Sequence, residues 1–124
     1  MKANRVIIAG SRNCPEYNVE LFRKIDKILG NIGWDDLEIV SGTCKGADKL
    51  GENYADLYGE DAKQFPADWE TYGKSAGYIR NKQMAQYATH LIALWDGQSK
   101  GTKNMINLAK QYGLKVRIIN FKTL

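Results

Sequence analysis

The sequence predicts an α/β fold: an open parallel sheet of about five strands with helices on both faces. Three observations predict it. Short β-rich apolar runs alternate with longer stretches whose apolar residues recur at helical spacing. The fourth apolar run, Leu91–Trp95, is unbroken by polar residues, as in a central strand covered on both faces. Three runs end in loops that pair glycine with hydroxyl side chains before a helical stretch begins. A βαβαβαβαβ order is most simply closed as a parallel sheet. The 124 residues, 44% of them hydrophobic, suffice for one domain spanning 1–124.

Each element follows from local pattern. Arg5-Val6-Ile7-Ile8-Ala9 reads as the first strand. Val19, Phe22, Ile25, Ile28, Leu29 and Ile32 then mark a helix, with Gly30 and Gly33 near its end. Leu37–Val40 is the second strand, and Ala47, Leu50, Tyr54 and Leu57 trace a helix closed by Gly59. Ala62–Phe65 is a short third strand stopped by Pro66. Asp68 to Gly73, with Trp69 and Tyr72, reads as loop, and a third helix is expected from about Ser75 to Tyr87. After the fourth strand, Met105, Ile106, Ala109 and Tyr112 define a helix with Gly113 just past its end. Val116–Ile119 is the last strand. Trp34, in a Gly-Trp-Asp-Asp turn, reads as packing, and His90 as the boundary of the fourth strand.

Composition narrows the function. No apolar run approaches the ~20 residues of a membrane helix, and the apolar part of the N-terminal segment is too short for a signal-peptide core. The expectation is a cytoplasmic protein with no membrane partner. Cys14 and Cys44 lack CxxC spacing, so neither a disulfide framework nor a zinc site is expected. The net charge of +4 is unevenly spread. Up to Gly73 there are nine basic and thirteen acidic residues. From Lys74 onward there are nine basic residues and a single acid, Asp96. The basic half could attract nucleic acid, but Lys103, Lys110 and Lys115 are scattered, and no RNP, zinc-finger or helix-turn-helix signature is present.

In a sheet of this kind, ligands bind at the carboxyl ends of the strands near the point where strand order reverses. The loops there are Gly10-Ser11-Arg12, Ser41 through Asp48 (Ser-Gly-Thr-Cys-Lys-Gly-Ala-Asp) and Asp96 through Thr102 (Asp-Gly-Gln-Ser-Lys-Gly-Thr). Glycine allows close backbone approach, Ser and Thr cap helices or donate to anions, and arginine grips phosphate. Each loop alone is equally an ordinary turn or helix cap. None is a Walker A loop or a GxGxxG fingerprint, so no cofactor is expected. Ser41 lacks a histidine base for a catalytic triad.

Gly10-Ser11-Arg12, Ser41-Gly42 through Gly46-Ala47-Asp48, Ile79-Arg80-Asn81 and Trp95-Asp96-Gly97 through Gly101-Thr102 together resemble the SLOG superfamily of Rossmann-like nucleotide-binding domains. The likeness is to its small YspA-like branch, found in bacteria and phages, and spans nearly the whole chain. It implies a nucleotide or nucleotide-derived ligand, such as an ADP-ribose-type molecule, and a homodimer or higher homo-oligomer. The superfamily also holds the LOG-type phosphoribohydrolases, with the signature PGGxGTxxE and a catalytic arginine on the preceding helix. Arg80 matches that arginine in position, and Gly101-Thr102 matches the GT. Met105 stands where the glutamate would be, and Trp95-Asp96-Gly97 replaces PGG. A thioether can neither transfer protons nor stabilise an oxocarbenium-like transition state.

The resulting expectation is a module that senses or sequesters a nucleotide-derived small molecule. Gly10, Ser11 and Arg12 would hold phosphate with Gly97, Ser99, Gly101 and Thr102. Asp96 would take ribose hydroxyls, Arg80 would neutralise charge, and Asn81 would bond ribose or base. Trp95, Trp69 or Tyr78 would stack on a purine. Ser41, Gly42, Gly46 and Asp48 would complete the site, although a helix-dipole role accounts for Asp48 equally well. One alternative is a nucleotide N-glycosidase using Arg80 and Asp96. Another is single-stranded nucleic-acid binding through the basic half, as in the SLOG-like domain of the DNA-processing protein DprA.

Overall fold

The computed structural model describes residues 1–123. Five strands, β1 (Asn4–Gly10), β2 (Leu37–Ser41), β3 (Lys63–Gln64), β4 (His90–Trp95) and β5 (Lys115–Asn120), form one parallel sheet in the order β3-β2-β1-β4-β5. The helices are α1 (Val19–Ile32), α2 (Ala47–Leu57), α3 (Trp69–Tyr72), α4 (Ala76–Tyr87) and α5 (Lys100–Gln111). The chain leaves the edge at β3 and returns on the far side of β1 as β4, so strand order reverses between β1 and β4. This is the predicted α/β architecture.

The apolar runs of the two central strands explain the two-sided core. Val6 and Ile8 of β1, with Ile92 and Leu94 of β4, meet Leu21, Ile25 and Leu29 of α1 and Leu50 and Tyr54 of α2. Ile7 and Ala9, with Leu91 and Ala93, face Met84 and Ala85 of α4 and Met105, Ile106 and Ala109 of α5. α2 lies very close to the sheet, because a Cβ on Gly51 would stand 2.8 Å from the Ile8 Cβ.

Several expectations need correction. The segment from Asp68 to Gly73 is not a loop: Asp68 accepts a hydrogen bond from the Thr71 N–H (3.1 Å) and caps α3. A single 3₁₀ turn, Gly73–Ser75, then leads into α4. Val19, Leu57 and Tyr112 fit the helical spacing but are exposed, because each lies at the end of its helix, where the apolar stripe has left the sheet. Trp34 is a packing residue as expected, its ring tilted against that of Tyr58 (5.4 Å between centroids), although it lies outside the core and is 47% exposed. Gly113 occupies the predicted position after α5, with φ +78°. No helix among the described residues is long and apolar enough to cross a membrane.

Candidate functional site

A cleft of about 510 Å³ opens at the carboxyl ends of β1 and β4, where the strand order reverses. Its walls are the loop after β1, the loop after β4 with the start of α5, and the segment running from α3 into α4. The loop between β2 and α2 reaches it with Cys44, and the first turn of α2 with Asp48.

The loop after β1 turns tightly against β4. A Cβ on Gly10 would lie 1.9 Å from the Leu94 carbonyl oxygen, so only glycine fits there. The Ser11 N–H donates to the same carbonyl (2.9 Å), and the Ser11 hydroxyl accepts from the Asp96 N–H (3.1 Å). The two central loops are thereby stitched together. Among the described residues, no hydrogen bond takes up the N–H of Arg12 or Asn13.

The loop after β4 is built around Asp96. Its Oδ1 accepts from the Gln98 and Ser99 N–H groups, both at 2.8 Å. Those two bonds hold the carboxyl below its usual pKa. Ser99 caps α5, its hydroxyl accepting from the Thr102 N–H (3.4 Å) and the Thr102 hydroxyl (3.0 Å). The N–H groups of Lys100 and Gly101, in the first turn of α5, have no intrahelical acceptor. This end of α5 faces the cleft, and backbone amides with a helix dipole behind them suit an anion.

The turn into α2, similar in composition, is closed by the protein itself. The Gly46 N–H donates to the Glu16 carboxylate (2.8 Å) and the Ala47 N–H to the Ser11 carbonyl (3.1 Å). A Cβ on Gly46, which has φ +83°, would lie 2.4 Å from the Ser11 oxygen. This loop therefore buttresses the loop after β1.

Arg80 and Asn81 sit beneath the cleft, 7% and 8% exposed. Arg80 donates through Nη1 to the Gly42 carbonyl, through Nη2 to the Cys44 sulfur (3.6 Å) and through Nε to Asn81 Oδ1 (3.0 Å). Asn81 Nδ2 donates to Asn104 Oδ1 (3.0 Å) on α5. These two residues tie α4 to the β2 loop on one side and to α5 on the other. Asp48, in the first turn of α2, is 6% exposed. Its Oδ2 accepts from the Cys44 N–H (3.0 Å). Burial pushes its pKa up to about 6, against the opposing pull of that N–H and of Arg80.

Of the residues singled out in the sequence, Gly10, Ser11, Arg12, Asp48, Arg80, Asn81, Asp96, Ser99, Gly101 and Thr102 line the cleft. Ser41, Gly42, Gly46, Trp95 and Gly97 do not. Ser41 donates to Glu52 (2.6 Å), and the Trp95 indole N–H donates to the Ser99 carbonyl (3.1 Å), so both brace loops. Gly42 lies against Arg80 and Asp48, where a Cβ would approach each to 2.8 Å. Trp69 and Tyr78 stand half-exposed at the rim. Met105 is buried in the cleft wall. Asn13, Lys74 and Met84 also line the cleft but belong to no motif. The one sequence signal for Lys74 is its place at the change from the acidic to the basic half.

A doubly wound parallel sheet with a cleft at its reversal point defines a Rossmann-like α/β domain. Residues 4–72 match the model of the YAcAr family, described as the YspA, cpYpsA-related SLOG family, and the chain belongs to that family. The Gene 61 protein of Mycobacterium phage D29 is 32% identical over 91 residues, which cover 68% of this chain and 71% of that protein. The match to the family takes in the loops after β1 and β2, while Arg80, Asn81 and the loop after β4 lie beyond it. Membership of the SLOG family points to nucleotide-related binding or metabolism.

Proposed function

We propose that the strand-end cleft binds a nucleotide-derived small molecule, an ADP-ribose-type ligand or a nucleoside phosphate, and holds it without turnover. The observation that carries this reading is that backbone N–H groups of cleft-lining residues on both walls, Arg12 and Asn13 after β1 and Gly101 in the first turn of α5, donate no hydrogen bond among the described residues. Arg12 and Lys74 add positive charge at the rim. Phosphate sits between the two walls. The half-exposed rings of Trp69 and Tyr78 offer a stacking surface for the base.

Retention rather than hydrolysis is favoured by what surrounds the candidate catalytic groups. The guanidinium of Arg80 is engaged on three sides by the protein. One oxygen of Asp96 is committed to its own loop. A methionine occupies the glutamate position of the LOG signature. Calorimetry and thermal-shift measurements with AMP, ADP-ribose, NAD and cyclic ADP-ribose test the reading. Binding well below about 1 mM with no change in the ligand is expected. If none of the four binds more tightly than that, the reading is wrong, and release of base or phosphate would replace it with an enzyme.

A further inference from the structure

We infer that the Asp48 carboxylate receives the ribose hydroxyls of the ligand, making the cleft selective for ribonucleotides over deoxyribonucleotides. This rests on the nucleotide-binding reading above and assigns the sugar subsite within it.

Two carboxylates line the cleft, and they differ in what they have left to offer. Asp96 is half-buried, and its Oδ1 already accepts two N–H groups from its own loop. Asp48 sits deep in the cleft between Cys44, Arg80 and the backbone of Gly10. Arg80 is close enough to act on Asp48 through its charge but forms no ion pair with it. Among the described residues the single ion pair is Lys49–Glu52. The guanidinium is turned to the Gly42 carbonyl, the Cys44 sulfur and Asn81 instead. Asp48 is therefore a sunken carboxylate whose Oδ2 is anchored by the Cys44 N–H, with the Gly10 amide also beside the carboxylate and, among the described residues, no cation paired with it. A carboxylate is an acceptor only, so the partner that suits it is an uncharged group with donors to give. Adjacent sugar hydroxyls are such a group. The position fits as well, because phosphate held by the loops after β1 and β4 leaves the sugar beside the β2 loop, where Asp48 stands.

The test is calorimetry with ADP and 2′,3′-dideoxy-ADP, on the unmodified protein and on Asp48→Asn. The unmodified protein should bind ADP at least about tenfold more tightly than the dideoxy compound. Asp48→Asn, which replaces one acceptor oxygen with a donor, should bind the two alike. Equal binding of the two nucleotides by the unmodified protein overturns the sugar assignment while leaving the nucleotide site standing. So does discrimination that survives in Asp48→Asn. Absence of binding by both nucleotides overturns the assignment together with the reading beneath it. The comparison on the unmodified protein decides the matter even where the variant does not fold.

Discussion

Asp48 couples the candidate site to stability. Its pKa of about 6 in the fold, against an ordinary 3.8, means that the folded chain holds a proton that the unfolded chain has released. The favourable contribution is complete below pH 3.8 and is lost as pH rises toward 6. Ionising the buried group costs roughly 3 kcal/mol. Burial is the main cause and the Glu52 carboxylate adds to it, while the Cys44 and Gly10 amides and Arg80 oppose it. The melting temperature of Asp48→Asn should therefore lack the part of the decline between pH 4 and 6 that the unmodified protein shows. Arg80→Ala strips the Gly42 carbonyl and the Asn81 amide oxygen of a buried donor. A loss of about 2–4 kcal/mol in urea unfolding is expected. Arg80→Lys should recover little of it, because an ammonium cannot reproduce the three-way fork. The identity of both residues could be read from the sequence. Their burial could not, because it depends on α2 and α4 meeting the loops from opposite faces of the sheet.

Two glycines of similar appearance in the sequence behave oppositely in their elements. Gly46 stands before α2 with φ +83° and no room for a methyl group. Gly46→Ala should cost at least about 2 kcal/mol by forcing apart the loops after β1 and β2. Gly30 lies inside α1 with nothing within 4 Å of where its Cβ would stand. Gly30→Ala should raise stability by about 0.5–1 kcal/mol, and equilibrium unfolding of the two variants compares them directly. The long helices α1 and α5 were legible because their buried residues follow one stripe. α4 was harder to read, since Arg80 and Asn81 lie on its buried face beside Met84 and Ala85 and break the apolar period. α3 leaves no mark in the sequence, because four residues show no period and its cap, Asp68, also suits a turn.

Across the whole molecule, protection should follow the sheet order. The amides of β1 and β4 are buried in the middle and should exchange with solvent last, while β3, two exposed residues long, and α3 should exchange first. A bound nucleotide should slow exchange in α3 and at the start of α5, the two ends of the cleft, in the same mass-spectrometric experiment. The parallel sheet and its central fourth strand were readable from alternation and from unbroken apolar runs. The division of labour among three similar loops was not. It turns on Glu16 reaching the Gly46 amide across 30 residues, a pairing that no local pattern announces.

The side chains at the rim of the cleft differ in kind from those beneath it. Arg12, Trp69, Lys74 and Tyr78 make no side-chain hydrogen bond among the described residues, whereas Arg80 and Asn81 join α4 to the loop after β2 and to α5. Mutational drift therefore has an asymmetric field to work on. If the cleft holds a small molecule as proposed, changes at the four rim positions would alter its preference without removing any side-chain hydrogen bond seen among the described residues. The lattice underneath changes only when several residues are replaced together. In this architecture, ligand preference should diversify among relatives faster than the frame that presents it.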